Sequence, residues 1–349
     1  MIINEHHIPL RVRVIYLVVI SMSMISIDAG HRSVPMDDTE FSIVNHGDSF
    51  DIRWDARPVQ SVVFREIADM VNKSTDYGVF NQRKLMAFMR ELKLRLARAT
   101  PGVASSRDTT PVSTIRIPDK WQVISIRANL LKSKIIRNYQ RMNAMIDKLS
   151  AEYSAGTDIC KLGAKYDFPP LNLLRGIFLH NKYSPESIYG VFVNGRPAQE
   201  ILRGRDLAQF RQACRCDAES IFNQEKVAEE AYENEMRFVR FLLGMGIKLK
   251  TQDELTAEQI EKFGRPIITP DVLFISAVYV NGRRIYWMDF KNYVGAPIDF
   301  IYKSCAAQAK KYSAEWGPGA FCFAWSFVEG LEFDGAMVLD GTRLPISFV

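Results

Sequence analysis

The chain of 349 residues is long enough for two or three domains, and its 47% hydrophobic content suits ordinary globular cores. A net charge of +5 is too mild to define a partner class by itself. The cysteines number five, an odd count with no C-x-x-C pair; Cys214-Arg-Cys216 is too tight for zinc-site spacing, so free thiols in a reducing compartment are expected.

Val14 to Ile27 is an uncharged, mostly apolar run, shorter than the roughly 20 residues a spanning helix needs. No stable membrane insertion is expected from it. Arg11 and Arg13 ahead of it and Ala29-Gly30 behind give it the layout of a secretory signal, and a disordered leader is the competing account. Residues 28–57 read as aperiodic loop, so 1–57 form the leader.

Residues 58–156 read as a basic helical region. Val59 to Asn72 and Asn81 to Arg98 have helical periodicity, the Pro/Ser/Thr-rich stretch 100–114 is a linker, and Trp121 to Tyr153 is helical again. Seven basic residues against the single acid Asp119 lie between Arg116 and Arg141. Arg127, Lys132, Lys134 and Arg137 are therefore candidates for phosphate contact, with a solvated helix surface as the alternative.

Residues 157–216 carry a helix-turn-helix outline. Thr157 is the expected N-cap of a short helix over Ile159 to Lys165. A turn follows at Asp167-Phe168-Pro169-Pro170, and Pro170 opens a second helix running to His180 with Arg175 exposed. Arg175 joins the candidates for nucleic-acid contact, and a purely structural helix pair is the alternative.

The last region, 217–349, holds the chemistry. Ala218 to Leu243 reads as a long helix on which Glu235 falls within the apolar stripe and Glu233 falls opposite. A hairpin follows, with Asn281-Gly282 as a type I′ turn between strands rich in β-branched and aromatic residues. Asp271 opens its first strand. Asp289 and Lys291 share one face of the second, beside Ile285 and Trp287. An acid and an amine on an apolar strand face are costly to bury unless paired or metal-bound. Beyond the hairpin, Pro297 to Glu315 is a helix with Gln308 and Tyr312 on one face; Ala320 to Phe327 is a buried strand and Ala336 to Asp340 a short last one. The order implies an α/β sandwich: a mixed sheet with helices over its faces.

Glu235, the triplet Thr269-Pro270-Asp271, Asp289-x-Lys291 and Gln308-x-x-x-Tyr312, in that order, resemble the TPD branch of the PD-(D/E)XK nuclease superfamily. Ile285-Tyr286-Trp287 and Gly317-Pro318-Gly319 fit the branch too, and the likeness covers about residues 157 to 349. It implies a restriction-endonuclease-like C-terminal α/β domain after an all-α helix-turn-helix region. It also implies Mg²⁺ or Mn²⁺ held by Asp271, Asp289 and Glu235, with Lys291, Gln308 and Tyr312 completing the catalytic set. The expected substrate class is nucleic acid, DNA first. Because the branch includes a codanin-interacting member, a codanin-like protein partner and a nuclear and cytoplasmic location are implied as well. A scaffold of the same fold that no longer cuts, a restriction-type or junction-resolving nuclease, and a secreted protein are the alternatives.

Two departures matter. Asp289 stands where Glu is commoner. A regular two-residue turn would also pair position 274 with Asp289 and 272 with Lys291, leaving Asp271 on the opposite face, so a bulge or bend within 271–277, or a different turn, is required to bring the acids together. The last histidine is His180, which removes histidine-dependent nuclease designs from consideration for this domain.

Overall fold

The computed structural model describes residues 41–99, 115–217 and 224–348. The apolar run from Val14, the linker over 100–114 and the first residues of the helix expected from Ala218 lie outside them. In chain order the elements are β1 (Phe41–Asn45), β2 (Ser49–Trp54), α1 (Ser61–Lys73), α2 (Gln82–Ala99), α3 (Lys120–Ala144), α4 (Ile146–Ser154), α5 (Ile159–Tyr166) and α6 (Pro170–His180). There follow α7 (Pro185–Phe192), α8 (Ala198–Ile201), α9 (Gly204–Cys216), α10 (Gln224–Gly244), β3 (Leu249–Thr251), α11 (Gln252–Phe263), β4 (Val272–Val280), β5 (Arg283–Lys291), α12 (Asp299–Trp316), β6 (Gly319–Phe323) and β7 (Ala336–Asp340).

The chain forms two compact units, each discontinuous in sequence. The first takes its described residues from 68–90 and 127–228, the second from 41–67, 91–126 and 229–348. Among the described residues no helix is long and apolar enough to cross a membrane. All five cysteines are free thiols.

The first unit is helical. Its core is built from Leu149, Leu162, Phe168, Leu174, Ile177, Phe178, Phe192 and Phe210, drawn from α4 through α9 and the α5–α6 turn. Asp158, not Thr157, caps α5, because its carboxylate accepts from the N–H groups of Cys160 and Lys161. Pro170 does open α6, and the next free N–H, that of Leu171, is satisfied by the buried carboxylate of Asp217 at 3.0 Å. Arg175 is half-buried on this helix instead of exposed.

The second unit is organised on a seven-stranded mixed sheet in the order β1-β2-β4-β5-β6-β7, with β3 paired to β4 beside the main path. The loop expected over 28–57 is, from Phe41 onward, the hairpin β1–β2. Phe50, Ile52 and Trp54 are buried while Asp51 and Arg53 face solvent, a half-buried strand's alternation that is only six residues long. The region ahead of residue 217, expected to be all-α, therefore contains two strands. β2 runs parallel to β4, pairing Ser49 with Ala277 and Ile52 with Val280. The strand expected to reach Phe327 ends at Phe323, and β7 lies where expected.

The Asn281-Gly282 turn has φ of 49° and 76°, both in the left-handed region that a type I′ turn demands. Asn281 also works as a strand mimic: its side-chain oxygen accepts from Trp54 N and its amide donates to Trp54 O, each at 2.9 Å.

Helices cover both faces of the sheet. Phe238 of α10 stacks on Phe290 of β5, with ring centroids 5.2 Å apart. Trp287, on the other face of β5, meets Tyr312 of α12 edge-on at 5.1 Å. Gly319 is where the backbone passes under Trp287: a Cβ there would lie 2.2 Å from the indole ring.

Candidate active site

The acids come together through a change of register in the β4–β5 hairpin. Near the turn, Val280 pairs with Arg283 and Val278 with Ile285; at the open end, Leu273 pairs with Trp287 and Val272 with Met288. Paired numbers sum to 563 in the first part and 560 in the second, so β4 carries three extra residues between Leu273 and Val278. An odd slip exchanges the faces of a strand. Continued one residue past Val272, the register sets Asp271 opposite Asp289. The slip falls where β4 changes partner, from β2 at Ala277–Val280 to β3 at Val272–Phe274. Within it, the N–H groups of Ile275 and Ser276 both bond to Lys248 O.

Asp271 and Asp289 are both buried, at 6% and 3% exposure. One Asp271 oxygen accepts from Phe290 N at 2.6 Å and the other lies 3.5 Å from the Gln252 side-chain amide. Asp289 is held by Lys291, Nζ to Oδ1 2.5 Å. The same ammonium lies 5.6 Å from the centroid of the Phe321 ring. Burial, followed by the charges of Asp289 and Glu235, holds the Asp271 carboxyl well above the usual carboxylate range. Burial works against the Lys291 ammonium, but the charges of Asp289, Cys305 and Asp271 outweigh it and its pKa is raised.

Glu235 is half-buried on α10 and Glu233 exposed, as the helical stripe requires. The neighbouring Asn234 is fully buried and donates to Asn292, the residue just after β5, at 3.0 Å, which sets the rotation of the helix here. Glu235 is pushed up to about 7, first by burial and then by the charge of Asp289, with Lys291 pulling the other way. It is thus in the electrostatic field of the pair, and the exposed Asp253 at the start of α11 adds to that field. Among the described residues, no group of three or more His, Cys, Asp or Glu side chains is arranged to hold a metal ion as they stand.

Tyr312 and Gln308 stand over the acids from α12. Tyr312 is buried; burial, then the charges of Asp289 and Asp271, raise the pKa of its hydroxyl. Oε1 of Gln308 is, among the described residues, a buried acceptor with no partner. It could accept from a water or a ligand.

The basic candidates divide. Arg127 is buried, donates to the carbonyls of Asp76 and Gly78 at 2.9 and 3.2 Å, and lies 4.5 Å from the Phe80 ring centroid. Lys134 is buried too, bonded to Ser74 O at 2.6 Å and paired with Asp167 at 2.8 Å. Both are internal ties of the first unit and are withdrawn from a phosphate-facing surface, contrary to the reading from charge. Arg137 is exposed and bonds to Asn72 at 3.2 Å, while Lys132 and Arg175 are half-buried.

Sequence reasoning missed β3, α11 and the residues they bring: Gln252, Asp253 and Gln259. A signal was present. Thr251-Gln-Asp-Glu254 is a capping box, and both of its reciprocal bonds form at the start of α11.

A seven-stranded mixed sheet with an acid pair at one end of its central hairpin defines a mixed α/β protein. Residues 205–342 match the family model described as "Protein of unknown function TPD sequence-motif", which supports a TPD-domain protein. The matched span contains every member of the set Glu235, Asp271, Asp289, Lys291, Gln308 and Tyr312. Comparison with curated proteins and with solved structures found no match.

Proposed function

We propose that the chain is a metal-dependent nuclease that hydrolyses phosphodiester bonds in nucleic acid, with DNA as the first substrate to try. The observation that carries this reading is the placement of Asp271 across from Asp289, beside Lys291. Buried acids facing one another disfavour each other's ionisation, and a hard divalent cation relieves that repulsion through oxygen ligands. The mixed sheet, with α10 and α12 on opposite faces, supports a restriction-endonuclease-like core, and the TPD match over the same residues supports the TPD branch.

Asp271, Asp289 and Glu235 would hold Mg²⁺ or Mn²⁺, which when bound supplies charge neutralisation and a more acidic water. Lys291 neutralises Asp289 in the ion-paired arrangement; freed from it, the ammonium would orient the attacking water and offset charge on the phosphate. Tyr312 would fix the Asp289 carboxylate, and the unpartnered oxygen of Gln308 would accept a hydrogen bond from a water or the substrate. Arg137 and Arg175, with the α5–α6 helix pair, are the proposed nucleic-acid contacts. A codanin-like protein is the proposed partner.

One observation favours a second reading, a nuclease fold used as a scaffold: the closed Lys291–Asp289 ion pair. Labelled single-stranded, duplex and branched DNA, incubated with Mg²⁺ or Mn²⁺, separate the two. Cutting by wild type but not by Asp289→Ala or Lys291→Ala, with binding retained by all three, supports the nuclease. Equal binding without cutting by wild type would leave the scaffold.

A further inference from the structure

The segment 264–271 that delivers Asp271 has no ladder of its own: it is irregular, carries two prolines, and pairs with no strand before Val272. Its backbone groups are instead met by two glutamines of α11. The Gln259 side-chain oxygen accepts from Ile267 N at 2.6 Å and Ile268 N at 2.8 Å, while its amide donates to Ile268 O at 2.5 Å. A side-chain amide that both accepts from and donates to one residue takes the part of a missing strand partner. Seven residues back, two helical turns away on the same side of the helix, Gln252 donates to Thr269 O at 3.1 Å and sits 3.5 Å from Asp271 Oδ1. Its own backbone N–H bonds to Asp271 O at 3.2 Å. The Lys311 ammonium takes Ile267 O from the side of α12.

We infer that Gln252 and Gln259 are positioning residues that set Asp271 against Asp289 for the proposed cleavage. The inference rests on the nuclease reading for its consequence, though not for its geometry. Helix α11 starts at a capping box and ends at Gly264 in the left-handed conformation, so it is a rigid bar along which the two amides are spaced. Tilting or sliding the segment by a fraction of an ångström would move the carboxylate across the site, and catalytic geometry tolerates little of that. Gln259 is the cleaner probe, since it touches only main chain three and four residues ahead of Asp271 and no acid of the site.

The test uses the full chain with Gln259→Leu, which removes the amide at similar volume, and Gln259→Glu, which keeps an acceptor for the two N–H groups and loses the donor to Ile268 O. Cleavage of labelled DNA with Mg²⁺ is expected to lose tenfold or more in kcat in Gln259→Leu, with KM within about twofold and partial recovery in Gln259→Glu. Amide hydrogen exchange at Ile267 and Ile268 is expected to quicken in Gln259→Leu. Faster exchange there with kcat within twofold of wild type would overturn the inference, because the segment would have loosened without consequence for the acid. Unchanged exchange would overturn it as well. If wild type itself does not cut with Mg²⁺ or Mn²⁺, the nuclease reading falls and takes the positioning role with it; exchange at the two amides then decides only whether the clamp exists.

Discussion

Asp271 lies across from Asp289 because three extra residues on β4 separate the pairing near the turn from the pairing at the open end. The slip reverses which face of β4 looks toward α12 and brings a second buried carboxylate to the Asp289–Lys291 pair. It coincides with the point where β4 exchanges β2 for β3 as its outer neighbour, so the irregularity is held from both sides. A bulge so held is a feature of the design of the strand, not slack in it.

The Asp289–Lys291 pair should behave as a unit in unfolding. Lys291→Met leaves several acids buried without their cation and is expected to cost about 3–5 kcal/mol. In a double-mutant cycle with Asp289→Asn, the combined loss should fall short of the sum of the single losses by at least about 1 kcal/mol. Urea unfolding of the four proteins measures it; additive losses would mean that the pair seen at 2.5 Å contributes nothing as a pair.

Glu235 should make stability fall as pH rises. Its carboxyl sits at about 7 in the folded chain against an ordinary value of 4.5, so the folded state binds its proton more tightly than the unfolded state does. That stability is fully present below 4.5 and is lost as the pH climbs through about 7. Asp271, raised for the same reasons, acts in the same direction. Glu235→Gln should therefore stabilise the protein more at pH 8 than at pH 5, by at most about 3 kcal/mol. Under the nuclease reading, Mg²⁺ should stabilise wild type more at pH 8 than at pH 5, since it binds ionised acids. An equal effect of the substitution at both pH values, read by urea unfolding, would refute the buried-acid account.

Arg127 and Lys134 should matter for folding and not for phosphate contact. Each substitution to Ala strands carbonyls of the 74–78 turn and should cost about 1.5–3 kcal/mol. Among molecules that remain folded, the slope of log affinity against log salt should match wild type. Arg137→Ala, at an exposed position, should reduce that slope by up to about 0.9 if it meets a phosphate. A reduced slope for folded Arg127→Ala would reverse the assignment.

Local chemistry was readable residue by residue. Asn281-Gly282 announces a type I′ turn because few residue pairs tolerate two positive φ angles, and Pro170 announces a helix start because its missing N–H is harmless there. The alternation of β5 placed Asp289 and Lys291 together, and the stripe of α10 turned Glu235 inward and Glu233 outward, since both periodicities are properties of a single segment. Even the need for an irregularity before Asp271 followed from counting residues back from the turn.

Its size did not follow. Three extra residues or one would equally reverse the face, and the choice belongs to β2 and β3, which approach β4 from distant parts of the chain. The sign of Arg127 and Lys134 was plain in the sequence, but a charge does not say whether it will meet solvent or the carbonyls of a turn some fifty to sixty residues away. The role of Gln252 and Gln259 was equally hidden, because an amide becomes a strand partner only when a segment without one is laid against it. Sequence determined which groups could do chemistry and how each segment would curl or extend. Tertiary structure decided which of those groups face one another, because pairing between distant segments is fixed by burial and hydrogen-bond satisfaction across the whole sheet.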